Sequence, residues 1–222
     1  MREIILDTET TGLDPHDGHR IVEVACIELV HHVVTGRIFH RYVNPERDMP
    51  EDAYAVHGLS AEFLSQFPPF AALADELLAF LEGGTLIIHN AEFDLKFLNF
   101  ELRRLGRPPL DCGHEDTLAL ARRRFPGAQA SLDALCRRFE IDLSARTKHG
   151  ALLDCELLAA VYLELIGGRQ PGFELLSDRA AGGVSLMVQR PPRAPRPHEA
   201  TPEELAAHAA MLGLLKQPLW LS

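Results

Sequence analysis

Near its start the chain runs an apolar triplet, Ile4, Ile5 and Leu6, straight into Asp7 and Glu9, with only Thr8 between the two acids. Such a triplet reads as a buried strand, and side chains two residues apart on a strand point to one face. Two carboxylates are therefore held side by side at the end of an apolar element. Their repulsion raises both pKa values and opposes folding. Any fold built on this strand must bring compensating positive charge to its end.

Two further acids occupy unusual positions. Asp94 follows the short apolar run in LIIHNAEFD, at the start of a helix, and Asp154 lies in the apolar face of GALLDCELL. Each has an ordinary alternative: Asp94 as a first-turn acid favoured by the helix dipole, Asp154 as a satisfied polar residue within its helix. The ordinary alternative is weaker for Asp7 and Glu9, because DTETTG puts both at a strand end. Four such carboxylates can converge on hard cations, and an oxygen-only ligand set suits magnesium or manganese. Two cations about 3.5–4 Å apart would offset the repulsion and clamp a phosphodiester, one activating water and the other stabilising the leaving oxygen. His149 precedes Asp154 by five residues. If both were helical they would point about 140° apart, so His149 is expected on the loop before the helix, leaning over the site. There a neutral imidazole could take a proton from the attacking water; a surface His near a helix start is the alternative.

The rest of the chain supplies an α/β pattern. Residues 3–10, 21–30 and 36–44 are expected strands, the last two joined as an antiparallel hairpin through Gly36. Residues 85–91 form a short buried strand. Helices are expected around 60–67 and over 70–84, 93–106, 117–125, 131–141 and 149–168, with Ser131 as an N-cap. Together these make a domain over 1–168 with a mixed sheet flanked by helices. Residues 169–200 are rich in Pro and Arg and read as a flexible linker. A separate helix is expected over 201–216. Thr201 and Glu204 form its capping box, Pro202 takes its first position, and Leu205, Met211, Leu212 and Leu215 supply an apolar stripe.

Charge and cysteine usage narrow the function classes. The 222 residues carry a net charge of −10, and residues 1–168 alone hold 16 Lys+Arg against 27 Asp+Glu. An acidic body argues against tight nonspecific DNA binding through phosphate neutralisation, though bound cations or a partner can supply the positive charge. Cys26, Cys112, Cys136 and Cys155 form no C-x-x-C pair and read as free thiols of a cytoplasmic protein. Neither a signal peptide nor a membrane span is expected. The histidines lack zinc-site spacing, and the basic clusters at 122–125 and 137–138 read as solvated helix faces, with a DNA-backbone contact as the second reading.

DTETTG, HNAEFD and HGALLD, in that order, resemble the three exonuclease motifs of the DEDDh 3′–5′ exonucleases. The resemblance covers about residues 3–168 and implies a ribonuclease H-like fold. It implies that Asp7, Glu9, Asp94 and Asp154 bind two divalent metals, with His149 as general base. It also implies that Thr10, Leu13, His57 and Phe93 lie near a bound 3′ end, single-stranded or frayed. His57 would contact the terminal nucleotide, and Phe93 would stack or wedge against a base; Phe93 as ordinary core packing is the alternative.

YAVHGLSAEFL, TKHGALLDCELLAAVYLELIGG and the tail narrow the match, looking like the proofreading (epsilon) subunits of bacterial DNA polymerase III. That likeness implies docking on the polymerase (alpha) subunit through residues 201–222. It also implies a sliding-clamp contact through residues 170–175, where Gln170, Phe173 and Leu175 meet the spacing. Pro171 and Gly172 depart from the usual clamp peptide. A plain helix-exit loop, and a clamp peptide in the terminal QPLWL, are the alternatives. The expected activity is hydrolysis of the 3′-terminal phosphodiester of DNA to nucleoside 5′-monophosphates. An RNA-directed DEDDh exoribonuclease and a noncatalytic polymerase–clamp adaptor are the rivals.

Overall fold

A computed structural model describes residues 1–144, 148–167 and 200–214. Five strands form one mixed sheet: β1 (Arg2–Thr10), β2 (Ile21–Val30), β3 (Val33–Tyr42), β4 (Thr85–Ile88) and β5 (His114–Asp116), in the order β3-β2-β1-β4-β5. β1 is antiparallel to β2 and parallel to β4, and β4 is parallel to β5. The carboxyl ends of β1, β4 and β5 therefore open onto one edge of the sheet.

The alternation of β1 dictates the layers. Ile4 and Leu6 face the helices α3 (Phe70–Leu81) and α4 (Ala91–Arg104), packing with Phe70, Leu77 and Phe97. Ile5 faces the opposite layer, α5 (Thr117–Arg124), α6 (Leu132–Arg138) and α7 (Ala151–Leu165), with Leu135, Leu158 and Val161. All three β1 aliphatics are fully buried, each contributing about 1.5–3 kcal/mol of apolar burial. Ser131 caps α6, its Oγ accepting from Ala134 N at 3.3 Å. Ser131→Ala should lower stability by about 1 kcal/mol, read as an earlier urea midpoint at unchanged slope.

The hairpin differs from expectation. Its turn is at His31 and His32, with φ of 53° and 64°, while Gly36 lies within β3 at φ 87°. Two successive positive φ values give the mirror-image turn whose twist matches the flanking strands, and His tolerates that region better than a β-branched residue would. Gly36 serves a different need, since the β2–β3 register shifts between Ile27 and Leu29. Two elements carry no clear sequence signal: the short helix α1 (Glu51–His57) and β5. The expected helix near residue 60 is a single turn, α2 (Ala61–Leu64), capped by Ser60.

Beyond this unit, α8 (Pro202–Leu214) carries the anticipated box. Glu204 N donates to Thr201 Oγ1 at 3.2 Å, and Thr201 N donates to Glu204 Oε2 at 2.8 Å. Gln170, Phe173, Leu175, the linker and the terminal QPLWL lie outside the described residues. Among those described, no helix is long and apolar enough to cross a membrane.

Candidate active site

The acids singled out at the end of the first strand meet those of two helices. Thr8, between Asp7 and Glu9, turns to the α4 face and donates to Asp94 Oδ1 from both its backbone N, at 2.9 Å, and its Oγ1, at 2.7 Å. Asp94 stands in the first turn of α4, reached from β4 through Asn90 at φ 68°, a left-handed conformation that Asn accepts more readily than most residues. Asp154 stands in the first turn of α7, and both Asp94 and Asp154 are buried.

His149 lies just before α7, which begins at Ala151 after an extended Gly150. The angular separation that a continuous helix would impose therefore does not apply. The imidazole Nδ1 comes within 3.2 Å of Asp154 Oδ2. One donor atom each from Glu9, His149 and Asp154 lie within 4.8 Å of one another. Two backbone ties hold this segment. His149 N donates to the Val56 carbonyl of α1 at 3.2 Å, and Ala151 N donates to Glu23 Oε2 at 3.1 Å.

Glu23 is a residue that motif reading passed over. It is buried, stands opposite Glu9 in the β1–β2 ladder, and holds His40 Nε2 at 2.7 Å with its other oxygen. The available signal was a charged residue third in the apolar strand IVEVACIELV.

The electrostatics follow from this crowding. Burial pushes the Asp7 carboxyl well above the usual range, and the charges of Asp94, Glu9, Asp154 and Glu23 push it further. Burial drives Asp94 up to about 7 despite the two Thr8 bonds. Such a set of oxygen donors, repelling one another at one strand end, fits hard divalent cations.

Beside the acids is a cavity of about 530 Å³ whose lining includes Glu9, Thr10, Leu13, His57 and Phe93. His57 Nδ1 accepts from Leu59 N at 3.0 Å, which leaves the ring proton on Nε2. That Nε2 is buried without a well-formed hydrogen bond, and the Thr10 backbone beside the ring favours its charged form. Burial lowers the His57 pKa and keeps the ring neutral. Leu13 is exposed at the rim, while Phe93 is half-buried with its ring 5.1 Å from that of Phe97. Phe93 thus both lines the cavity and packs on the core. The loop beneath needs Gly12, since a Cβ there would collide with the His19 ring.

Residues 4–162 match the family model described as exonuclease. The chain belongs to the exonuclease family. A relative from Rickettsia felis named DNA polymerase III subunit epsilon is 57% identical, over 79% of each chain. One of the same name from Escherichia coli K12 is 43% identical, over 97% of this chain and 94% of the relative. Among solved structures, Exonuclease X in complex with 5′ overhanging duplex DNA superposes with a TM-score of 0.57 at 25% identity, over 73% of this exonuclease and 90% of that chain. The nuclease domain of 3′hExo, a DEDDh family member bound to rAMP, shares the fold with a TM-score of 0.64 at 18% identity, over 74% and 91%. The sheet and helices described above are thus the ribonuclease H-like exonuclease fold, and divalent metal use goes with the family.

Proposed function

We propose that this exonuclease is the 3′–5′ proofreading subunit of a bacterial replicative DNA polymerase, acting in the cytoplasm. It removes nucleotides singly from a DNA 3′ end and releases nucleoside 5′-monophosphates. The observation that carries the reading is the gathering of Asp94, Asp154 and His149 about the Asp7–Glu9 strand end, beside a cavity of about 530 Å³.

Asp7, Glu9, Asp94 and Asp154 would hold two divalent cations, magnesium or manganese, which when bound supply Lewis-acid charge to the scissile phosphate. The protein groups divide the remaining work. His149 donates from Nδ1 to Asp154 Oδ2. That leaves the Nε2 lone pair as the base for the proton of the attacking water. Thr8 fixes the Asp94 carboxylate. His57 offers its buried Nε2–H to an oxygen of the terminal nucleotide, and Phe93 offers a ring to its base, a contact that tolerates any sequence. Thr10 and Leu13 complete the cavity wall.

The relatives' printed name supports partnership with DNA polymerase III. Residues 201–222, opened by the capped helix α8, are proposed to dock on the alpha subunit. Gln170, Phe173 and Leu175 are proposed to engage the sliding clamp. An acidic body is no obstacle when polymerase and clamp hold the DNA.

The test is digestion of matched 5′-labelled DNA and RNA oligonucleotides, with magnesium and with chelator. A magnesium-dependent ladder of single-nucleotide steps on DNA is expected. Preference for RNA, or an undigested primer, rejects the reading. Thr8→Val should lower kcat on the DNA about tenfold, because a hydrogen bond to a charged acceptor contributes about 1.5–3 kcal/mol; steady-state kinetics check it.

A further inference from the structure

The acids gather about the β1 end of the open sheet edge, where ligands of such sheets bind. Across the ends of β4 and β5 lies a second cavity, of about 620 Å³, lined by His89, Asn90, Arg122, Gln129 and Ser131, with no carboxylate in its lining. It adjoins the acids, because His89 and Asn90 in its lining join β4 to α4, whose first turn carries Asp94. Asp116, the nearest acid by position, is engaged: its Oδ1 accepts from Asn90 N at 3.0 Å and Leu118 N at 2.9 Å.

The three consecutive arginines at the end of α5 are used differently. Arg123 pairs with Glu115 at 3.0 Å, and Arg124 donates to the Glu164 and Leu165 carbonyls at the end of α7. Arg122 is exposed at the cavity and, among the described residues, makes no hydrogen bond or ion pair. Residues 1–168 hold 16 Lys+Arg against 27 Asp+Glu, so an uncommitted guanidinium beside the acids is well suited to a phosphate group. Arginine binds phosphate through a planar fork of donors and is always charged. With the 3′-terminal nucleotide in the cavity of His57 and Phe93, the rest of the strand has to leave the scissile phosphate on another side. The polar cavity offers that path along the same sheet edge.

We propose that the cavity at the ends of β4 and β5 is a second strand-binding subsite, in which Arg122 binds a phosphate of the DNA on the 5′ side of the scissile bond. His89, Asn90, Gln129 and Ser131 line the path of the attached nucleotide. The subsite rests on the nuclease reading and extends it from one nucleotide to the strand behind it.

The test compares Arg122→Ala, Arg122→Lys and Arg123→Ala in the full chain on two substrates: a single-stranded DNA oligonucleotide, and the p-nitrophenyl ester of thymidine 5′-monophosphate, which has no upstream phosphate. Arg122→Ala should raise KM for the oligonucleotide about tenfold with kcat nearly unchanged, the scale of one charge-assisted contact. It should flatten the dependence of log kcat/KM on log salt by about 0.7, the slope of one single-strand phosphate contact. Hydrolysis of the ester should stay at the wild-type level, Arg122→Lys should recover the salt slope, and Arg123→Ala should change neither substrate. The subsite is overturned by wild-type KM and salt slope in Arg122→Ala, by an equal loss on the ester, or by the same loss in Arg123→Ala. A wild-type chain inert on both substrates overturns the nuclease reading, and this subsite with it.

Discussion

Asp7→Asn is expected to cut DNA hydrolysis about 10³-fold or more while the metal-free protein melts a few degrees higher. The two effects have one origin. The Asp7 carboxyl is held where burial and four acidic neighbours oppose its charge, a cost to folding that is useful only when a cation is bound. An amide keeps the shape and removes the charge, so the fold gains what the reaction loses. A gain of about 1 kcal/mol corresponds to roughly 2–4 °C in a chain of this size. Steady-state rates with magnesium, and thermal melts in chelator, measure both sides. A variant that keeps its activity, or that melts lower in chelator, would make Asp7 a structural residue instead.

Removing divalent metal should abolish hydrolysis and expose a pH-dependent instability. Asp94 titrates at about 7 in the fold and Asp7 well above the usual range, against about 3.9 for an unfolded Asp. A folded pKa above the unfolded one means that the native state holds the proton more tightly. The resulting stability is complete below about pH 4 and is lost as pH rises through about 7. In chelator, then, the melting temperature should fall between pH 5.5 and pH 8. Millimolar magnesium should restore more at pH 8 than at pH 5.5, since protons compete for the same oxygens. A chelated protein whose melting temperature rises over that interval would contradict the crowded-acid arrangement.

The residues proposed to carry the chemistry were legible because their local surroundings are anomalous. Paired acids at the end of an apolar strand have few comfortable alternatives, and they drew notice to Asp94 and Asp154, each of which alone has an ordinary explanation. Asp7 and Glu9 stood out as a pair, Asp94 and Asp154 only in their company, and β1, α4 and α7 are where the apolar patterns put these elements. What remained hidden was set by long-range contacts. β5 is three polar residues, and it is a strand because Leu86, Ile87 and Ile88 lie beside it. The hairpin turn fell on two histidines because β2 and β3 needed positive φ there, whereas the glycine, the usual turn signal, was taken by the register shift. Glu23 looked like one polar residue in a half-buried strand. Its function as acceptor for the first N–H of α7 depends on a residue 128 positions away. The Arg122 cavity is of the same kind, assembled from the ends of β4 and β5 and the helices that follow.

The backbone tie between His149 and Val56 would make the proposed chemistry mechanically dependent on α1. The group that would accept the water proton hangs from the wall of the cavity proposed to hold the outgoing nucleotide. A fault in how that wall seats its guest becomes a fault in proton removal, with every acid intact. Lesions that make replication error-prone should therefore be found along Tyr54–His57 as well as among the carboxylates.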